Sequence, residues 1–243
     1  MPTNGPIATT GNRFLDALPA AVRDEIRGVA REQALELNHV VAHRGEPIRE
    51  LHFVIAGAIS EIEEQRDGGA AEVTAVGPEG LSAVERLLDE PFEQRLRMIQ
   101  LPTRVLAVGA DAMIRLRDRS PELRVLANRY TVAALRIAGI GIACNARHGA
   151  TERLARWLLR MRDRARSDAF ELTHEATSVM LAVRRATVSK AIAELADAGA
   201  IASSRGRVHI IDGAKLEAMT CTCYTEGRQV FDDLYARREL GSP

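Results

Sequence analysis

The chain changes its repeat once. From about residue 33 to 108 its apolar residues come in short runs broken by turn residues, and from Ser120 onward they recur every three or four positions. A strand alternates its faces with period 2 and a helix repeats every 3.6 residues, so neither one sheet nor one helical bundle absorbs both patterns. An α+β chain follows, with strands first and helices after.

The runs 34–41, 51–55, 58–63, 72–76, 95–101 and 104–108 are separated by Arg44-Gly45-Glu46-Pro47, Gly57, Asp67-Gly68-Gly69, Gly77-Pro78 and Pro102. Asp67-Gly68 predicts a hairpin, because glycine accepts the positive φ of a tight primed turn. Many short strands punctuated in this way predict a compact antiparallel β jelly-roll barrel. Ahead of it, residues 1–12 read as a disordered tail and 12–18 as a helical turn. A helix over 19–30 is opened by Pro19 and carries Val22, Ile26 and Val29 on one face.

Ser120-Pro121-Glu122 places a hydroxyl cap, a first-turn proline and a carboxylate at the positive end of a long helix. Along it Leu123, Leu126, Tyr130, Ala133, Ile137, Ile140 and Cys144 are spaced 3, 4, 3, 4, 3, 4. A sustained 3.5-residue period, with Gly139 and Gly141 permitting close approach, predicts a parallel helix pair across a homodimer axis. A helix buried against its own barrel would use the same residues. On the seam, Cys144 reads as a small buried apolar side chain.

The formal net charge of +0 hides an asymmetry: residues 1–146 carry −3, residues 147–243 carry +3, and 147–215 alone carry +5. The basic segment contains LTHEATSVMLAVRRATVSKAIAELADAGAI at 172–201. Thr173 caps a first helix with Ala176, Val179 and Met180 inward, and 182–184 form a turn. A second helix, about 185–198, buries Val188, Ile192 and Leu195 and stops at Gly199. This is a helix-turn-helix, whose second helix enters the major groove of double-stranded DNA. Arg185, Ala186, Ser189 and Lys190 face outward, flanked by Arg184 and Thr187. Arginine forks onto guanine O6 and N7, while lysine and serine reach bases or phosphates. Residues 201–204 and 207–211 form a β-wing with Arg205 and Arg207 at its tip, suited to backbone contacts. The candidate DNA-binding set is therefore Thr173, Arg184, Arg185, Thr187, Ser189, Lys190, Arg205 and Arg207.

These features together resemble the Crp/Fnr family of bacterial transcription regulators. The likeness runs through Gly45-Glu46-Pro47, Gly57, Cys144-Asn145-Ala146-Arg147-His148, Glu152-Arg153-Leu154-Ala155-Arg156-Trp157-Leu158 and the winged helix-turn-helix. It implies a cyclic-nucleotide-binding-like sensor over 13–118, a dimerisation helix over 119–147, a DNA-binding domain over 148–220 and a helical extension over 221–243. It also implies a homodimer on a two-fold operator, with RNA polymerase as a further partner of an activator. In the family pattern Arg185 matches the guanine-reading arginine, whereas Ala186 stands where many members have a base-reading glutamate.

Glu79, Arg95 and Arg97 are the candidate effector residues. Leu96 follows Arg95 where cyclic-nucleotide binders have Ser or Thr, so cyclic AMP is not the expected effector. No cysteine precedes Cys144, which excludes the family's N-terminal iron-sulfur cluster by ligand count. The one-residue gap of Cys221-Thr222-Cys223 suits neither a zinc knuckle nor a thioredoxin-type pair, so both read as packed or surface thiols. His39 and His43 fall in a strand and its turn, and His174-Glu175 lacks the second histidine of a zinc peptidase. The expectation is no metal, no cofactor and no enzyme activity, because a nucleophile elbow and a phosphate loop are missing as well. With neither a signal peptide nor a membrane span, a cytoplasmic protein is expected. A small-molecule or redox- or metal-sensing regulatory module acting through protein contacts is the alternative reading.

Overall fold

The computed structural model describes residues 9–236. Most of the expected tail lies outside them, but its end is fixed in place. Asn12 is fully buried, its Nδ2 donates to Val54 O (2.8 Å) and Gly80 O (2.7 Å), and its Oδ1 accepts from Leu15 N. It thereby caps α1 (Arg13–Asp16) and fastens it to the sheet. Helix α2 (Ala20–Val29) follows Pro19 and buries Ile26; Val29, expected inward, is 53% exposed where the helix ends.

The antiparallel sheet comprises β1 (Arg31–Leu35), β2 (Val40–Ala42), β3 (Glu50–Glu64), β4 (Ala70–Val76), β5 (Leu81–Ser82) and β6 (Leu96–Gly109). Its order is β1-β6-β3-β4, with β2 also on β6 and β5 also on β3. The sheet is jelly-roll-like and not a closed barrel. Both long strands run through residues that read as breaks. At Gly57 the backbone takes φ +90°, and a Cβ there would lie 2.5 Å from Pro102 O and Thr103 Oγ1. The ladder shifts register on either side of it, and Thr103 Oγ1 accepts from Ala58 N (3.0 Å) to satisfy the displaced amide. Gly57 and Pro102 are therefore a bulge that bends β3 and β6 together.

A 3-10 turn (Val84–Leu88), α3 (Ala110–Arg119) and α4 (Pro121–Arg147) close this half. Ser120 Oγ accepts from Leu123 N, as its position before Pro121 predicts. The seam of α4 is packed against its own protomer, the arrangement in which a helix is buried on its own chain. Leu123, Tyr130, Ala133, Ile137 and Cys144 are buried within the protomer, and Leu126 and Ile140 pack beside them. These seven residues meet their own chain: Tyr130 lies against Phe14 (5.5 Å between ring centres) and Phe231 (6.1 Å). Leu126 and Ile140 are half-buried at the edge of this packing. The apolar residues of α4 that remain outward are Val125, Val132, Leu135 and Ile142, between 42 and 74% exposed.

The C-terminal half comprises α5 (Ala150–Ala165), β7 (Ala169–Glu171), α6 (His174–Leu181), α7 (Arg185–Asp197), β8 (Ile201–Ser204), β9 (Arg207–Ile210), α8 (Gly213–Ala218) and α9 (Cys223–Ala236). Strands pair in the order β7-β9-β8. One apolar core joins the halves, running from Ala58, Ile62 and Leu101 through Leu154, Trp157 and Leu158 of α5 to Val188, Ile192 and Leu195 of α7. Each buried leucine in it contributes roughly 1.5–3 kcal/mol. Helix α9 returns along α4, with Val230 and Phe231 packed on Ala133 and Ile137. No helix among the described residues is long and apolar enough to cross a membrane.

Candidate nucleic-acid interface

Thr173 Oγ1 accepts from Ala176 N (3.1 Å) and sets the start of α6. Leu172 N donates to Gly206 O (2.7 Å), so this cap sits beside the wing tip. Helix α6 ends at Ala182 in the left-handed region (φ +49°), and Arg184 occupies the cap position of α7 without a side-chain cap bond. Helix α7 thus begins with amide groups that its own side chains do not cover, an arrangement suited to phosphate. Val188, Ala191, Ile192 and Leu195 are buried and hold the helix on its support. On the other side Arg184, Arg185, Ser189 and Lys190 are exposed, with Thr187 half-buried at their edge.

The outward groups are held loosely. Arg185 pairs with Glu175 (3.2 Å) and Lys190 with Glu194 (3.8 Å), while Ser189 Oγ lies 3.1 Å from His174 Nδ1. Exposed pairs of this kind are worth about 0–1 kcal/mol, so they are readily exchanged for a nucleic-acid partner. Arg205 (φ +49°) and Gly206 (φ +75°) form the wing turn, and Arg207 reaches Glu171 only at 4.0 Å.

Glu79, Arg95 and Arg97 are not brought into one pocket. Burial opposes charge on Glu79, but Arg164, bonding through Nε (3.1 Å) and Nη2 (2.5 Å), holds its carboxyl below the usual range. Arg97 is buried against Glu93 and Ser82, and burial draws its pKa down. Arg95 lies 3.6 Å from both Glu61 and Glu63. Burial, with Glu85 nearby, raises Glu61 to about 7. The cavity beside Glu79, about 250 Å³, is lined by Arg156, Arg160 and Arg164 from one face of α5, and neither Arg95 nor Arg97 borders it. Burial, reinforced by Arg164 and Arg156, brings Arg160 down to about 9.

A second cluster joins the three cysteines, expected as packed or surface thiols, to a histidine. Cys144 in the last turn of α4, His148 at its C-cap, Cys221, and Cys223 at the start of α9 place their ligand atoms within 4.8 Å of one another. Cys144 Sγ is 3.5 Å from Cys221 Sγ, and Cys223 Sγ is 3.7 Å from His148 Nδ1. Burial pushes the Cys144 thiol up to about 12 and also raises Cys223. The available signal was the four-residue step from Cys144 to His148, which puts both on one side of a helix end.

Residues 152–219 match the Crp-like helix-turn-helix domain family. No curated protein matches the chain. Among solved structures, FixK2 from Bradyrhizobium japonicum superposes with a TM-score of 0.66 at 20% identity, covering 79% of this chain and 98% of that one. A CRP/FNR-family transcriptional regulator from Thermus thermophilus gives 0.64 at 21% identity, covering 78% and 97%. The c-di-GMP-responsive global regulator CLP of Xanthomonas campestris gives 0.64 at 13% identity, covering 79% and 99%. The chain has the fold of the Crp/Fnr transcription regulators and carries their helix-turn-helix domain.

Proposed function

We propose that the protein is a sequence-specific transcription regulator that binds a two-fold operator in the cytoplasm as a homodimer, with α7 in the major groove. The observation that carries this reading is the division of α7. Val188, Ile192 and Leu195 anchor it, while Arg184, Arg185, Ser189 and Lys190 are exposed at the end that meets base edges, next to the basic wing. Arg185 reads a base; Lys190, Arg205 and Arg207 fix register on the backbone, and Thr173 lies beside the wing tip. The dimer axis runs along the outward face of α4, where Val125, Val132, Leu135 and Ile142 repeat at heptad spacing. Cyclic AMP is not the proposed effector, because Glu79, Arg95 and Arg97 are each engaged by groups of this chain.

Selection from random duplexes followed by anisotropy titration across salt concentrations tests the reading. A palindromic site should bind at least about 10³-fold more tightly than bulk DNA. Arg185→Ala should lose about 1–3 kcal/mol and relax specificity at one base pair, while Lys190→Ala should weaken all sequences alike and lower the salt slope. A palindrome bound no more tightly than bulk DNA would overturn the proposal.

A further inference from the structure

We propose that Cys144, His148, Cys221 and Cys223 form a mononuclear, tetrahedral site for a thiolate-binding divalent ion of the zinc class, closing the chain at the root of its C-terminal domain. The geometry is that of one ion. With sulfur at about 2.3 Å and imidazole nitrogen at about 2.0–2.1 Å from a tetrahedral metal, ligand atoms lie about 3.6–3.8 Å apart. The S–S and S–N separations, 3.5 and 3.7 Å, are close to those edges. All four donors converge within 4.8 Å, and all three sulfurs are buried. Three thiolates and one imidazole select a soft, tetrahedral ion over calcium or magnesium.

The surroundings suit the charge that loading creates. As three S–M bonds form, three thiol protons leave to solvent, and His148 contributes the Nδ1 lone pair without change of oxidation state. Three thiolates on a divalent ion leave one negative charge. The guanidinium of Arg153 interacts electrostatically with Cys144 and Cys221, and that of Arg156 with Cys144 and Cys223. Arg153 Nε and Arg156 Nε are buried without a hydrogen-bond partner among the described residues. Cys223 is the first residue of a 14-residue helix, whose positive end favours its thiolate.

Cys144 and Cys221 are 77 positions apart, so the whole helix-turn-helix segment lies inside the loop that the ion closes. Four protein ligands leave no open position, which makes the site a staple and not a reaction centre.

The full chain, reduced and stripped of metal under nitrogen, is titrated with Co²⁺ and then Zn²⁺, without DNA. The expected result is one Co²⁺ per chain, with thiolate-to-cobalt charge transfer and intense tetrahedral d–d bands, displaced by one Zn²⁺. Cys223→Ser should weaken Co²⁺ binding by well over about 100-fold, more than losing a hydrogen-bond partner of a ligand does. His148→Gln, at a half-buried position, should do the same while leaving unfolding of the metal-free protein unchanged; Thr222→Ala should alter neither. A pale octahedral spectrum, affinity indifferent to both ligand variants, or purification with iron and acid-labile sulfide would overturn the assignment.

Discussion

Helix α4 carries two apolar stripes of the same spacing on opposite sides. One, from Leu123 to Cys144, is covered by α1, the sheet and α9; the other, from Val125 to Ile142, is bare. They are offset by two residues, about 200° around a helix. Heptad spacing thus establishes that a helix has a seam to bury, but not whether the partner is its own chain. What covers the inner stripe is largely α9, an element that lies about 80 residues further on.

The two stripes should respond very differently to substitution. On the inner side, Tyr130→Ala removes a ring wedged between Phe14 and Phe231 and should cost about 3–5 kcal/mol in urea unfolding. If this variant instead dissociated a dimer while its unfolding stayed unchanged, the inner stripe would be the interface.

The interior also has a pH signature that the outward stripe lacks. Burial, then Arg97 and Arg31, lowers His52 to about 4, so the unfolded chain binds its proton first and stability falls as pH drops from 6.5 to about 4. The loss should reach about 3 kcal/mol. Glu61 acts in the opposite sense: its raised folded-state pKa favours the fold below about 4.5, and that contribution is lost as pH rises through about 7. The wild type should therefore be flatter across this window than Glu61→Gln, which exposes the His52 slope and gains stability at pH 8. Equal slopes in urea titrations of the two proteins would contradict this account.

On the outer side, Leu135→Glu with Ile142→Glu should change unfolding of the dilute protomer by under about 0.5 kcal/mol. Sedimentation should nevertheless show loss of self-association, and affinity for a palindrome should fall with it. A cooperative unfolding loss as large as that of Tyr130→Ala would erase the distinction between the stripes.

Local patterns were legible and distant ones were not. The division of α7 into Val188, Ile192 and Leu195 against Arg185, Ser189 and Lys190 follows from 3.6-residue periodicity alone, and the caps at Ser120 and Thr173 follow from a hydroxyl residue just ahead of each helix. Gly57 and Pro102 read as the ends of strands, because either residue alone usually interrupts a ladder. Only when they face each other across β3 and β6 do they make a bulge through which both strands continue. Glu79 was a candidate effector residue, but Arg164, 85 residues further on, binds its carboxylate, a pairing that no local pattern announces. The four metal-type ligands are divided in the same way: two stand at the end of one helix and two at the start of another, with a whole domain between them, so the spacing of Cys221 and Cys223 alone does not reveal the set.

The return of α9 to α4 has a mechanical consequence. A domain hung on one peptide hinge can swing through a cone and also drift along its linker. Here the segment 149–220 leaves the protein and re-enters it at the same place, the junction of Cys144 and His148 with Cys221 and Cys223. Two tethers fixed at one point restrain the segment on that side, and the apolar core it shares with Ala58, Ile62 and Leu101 restrains it on the other, so it is held to the sheet half at two separate places.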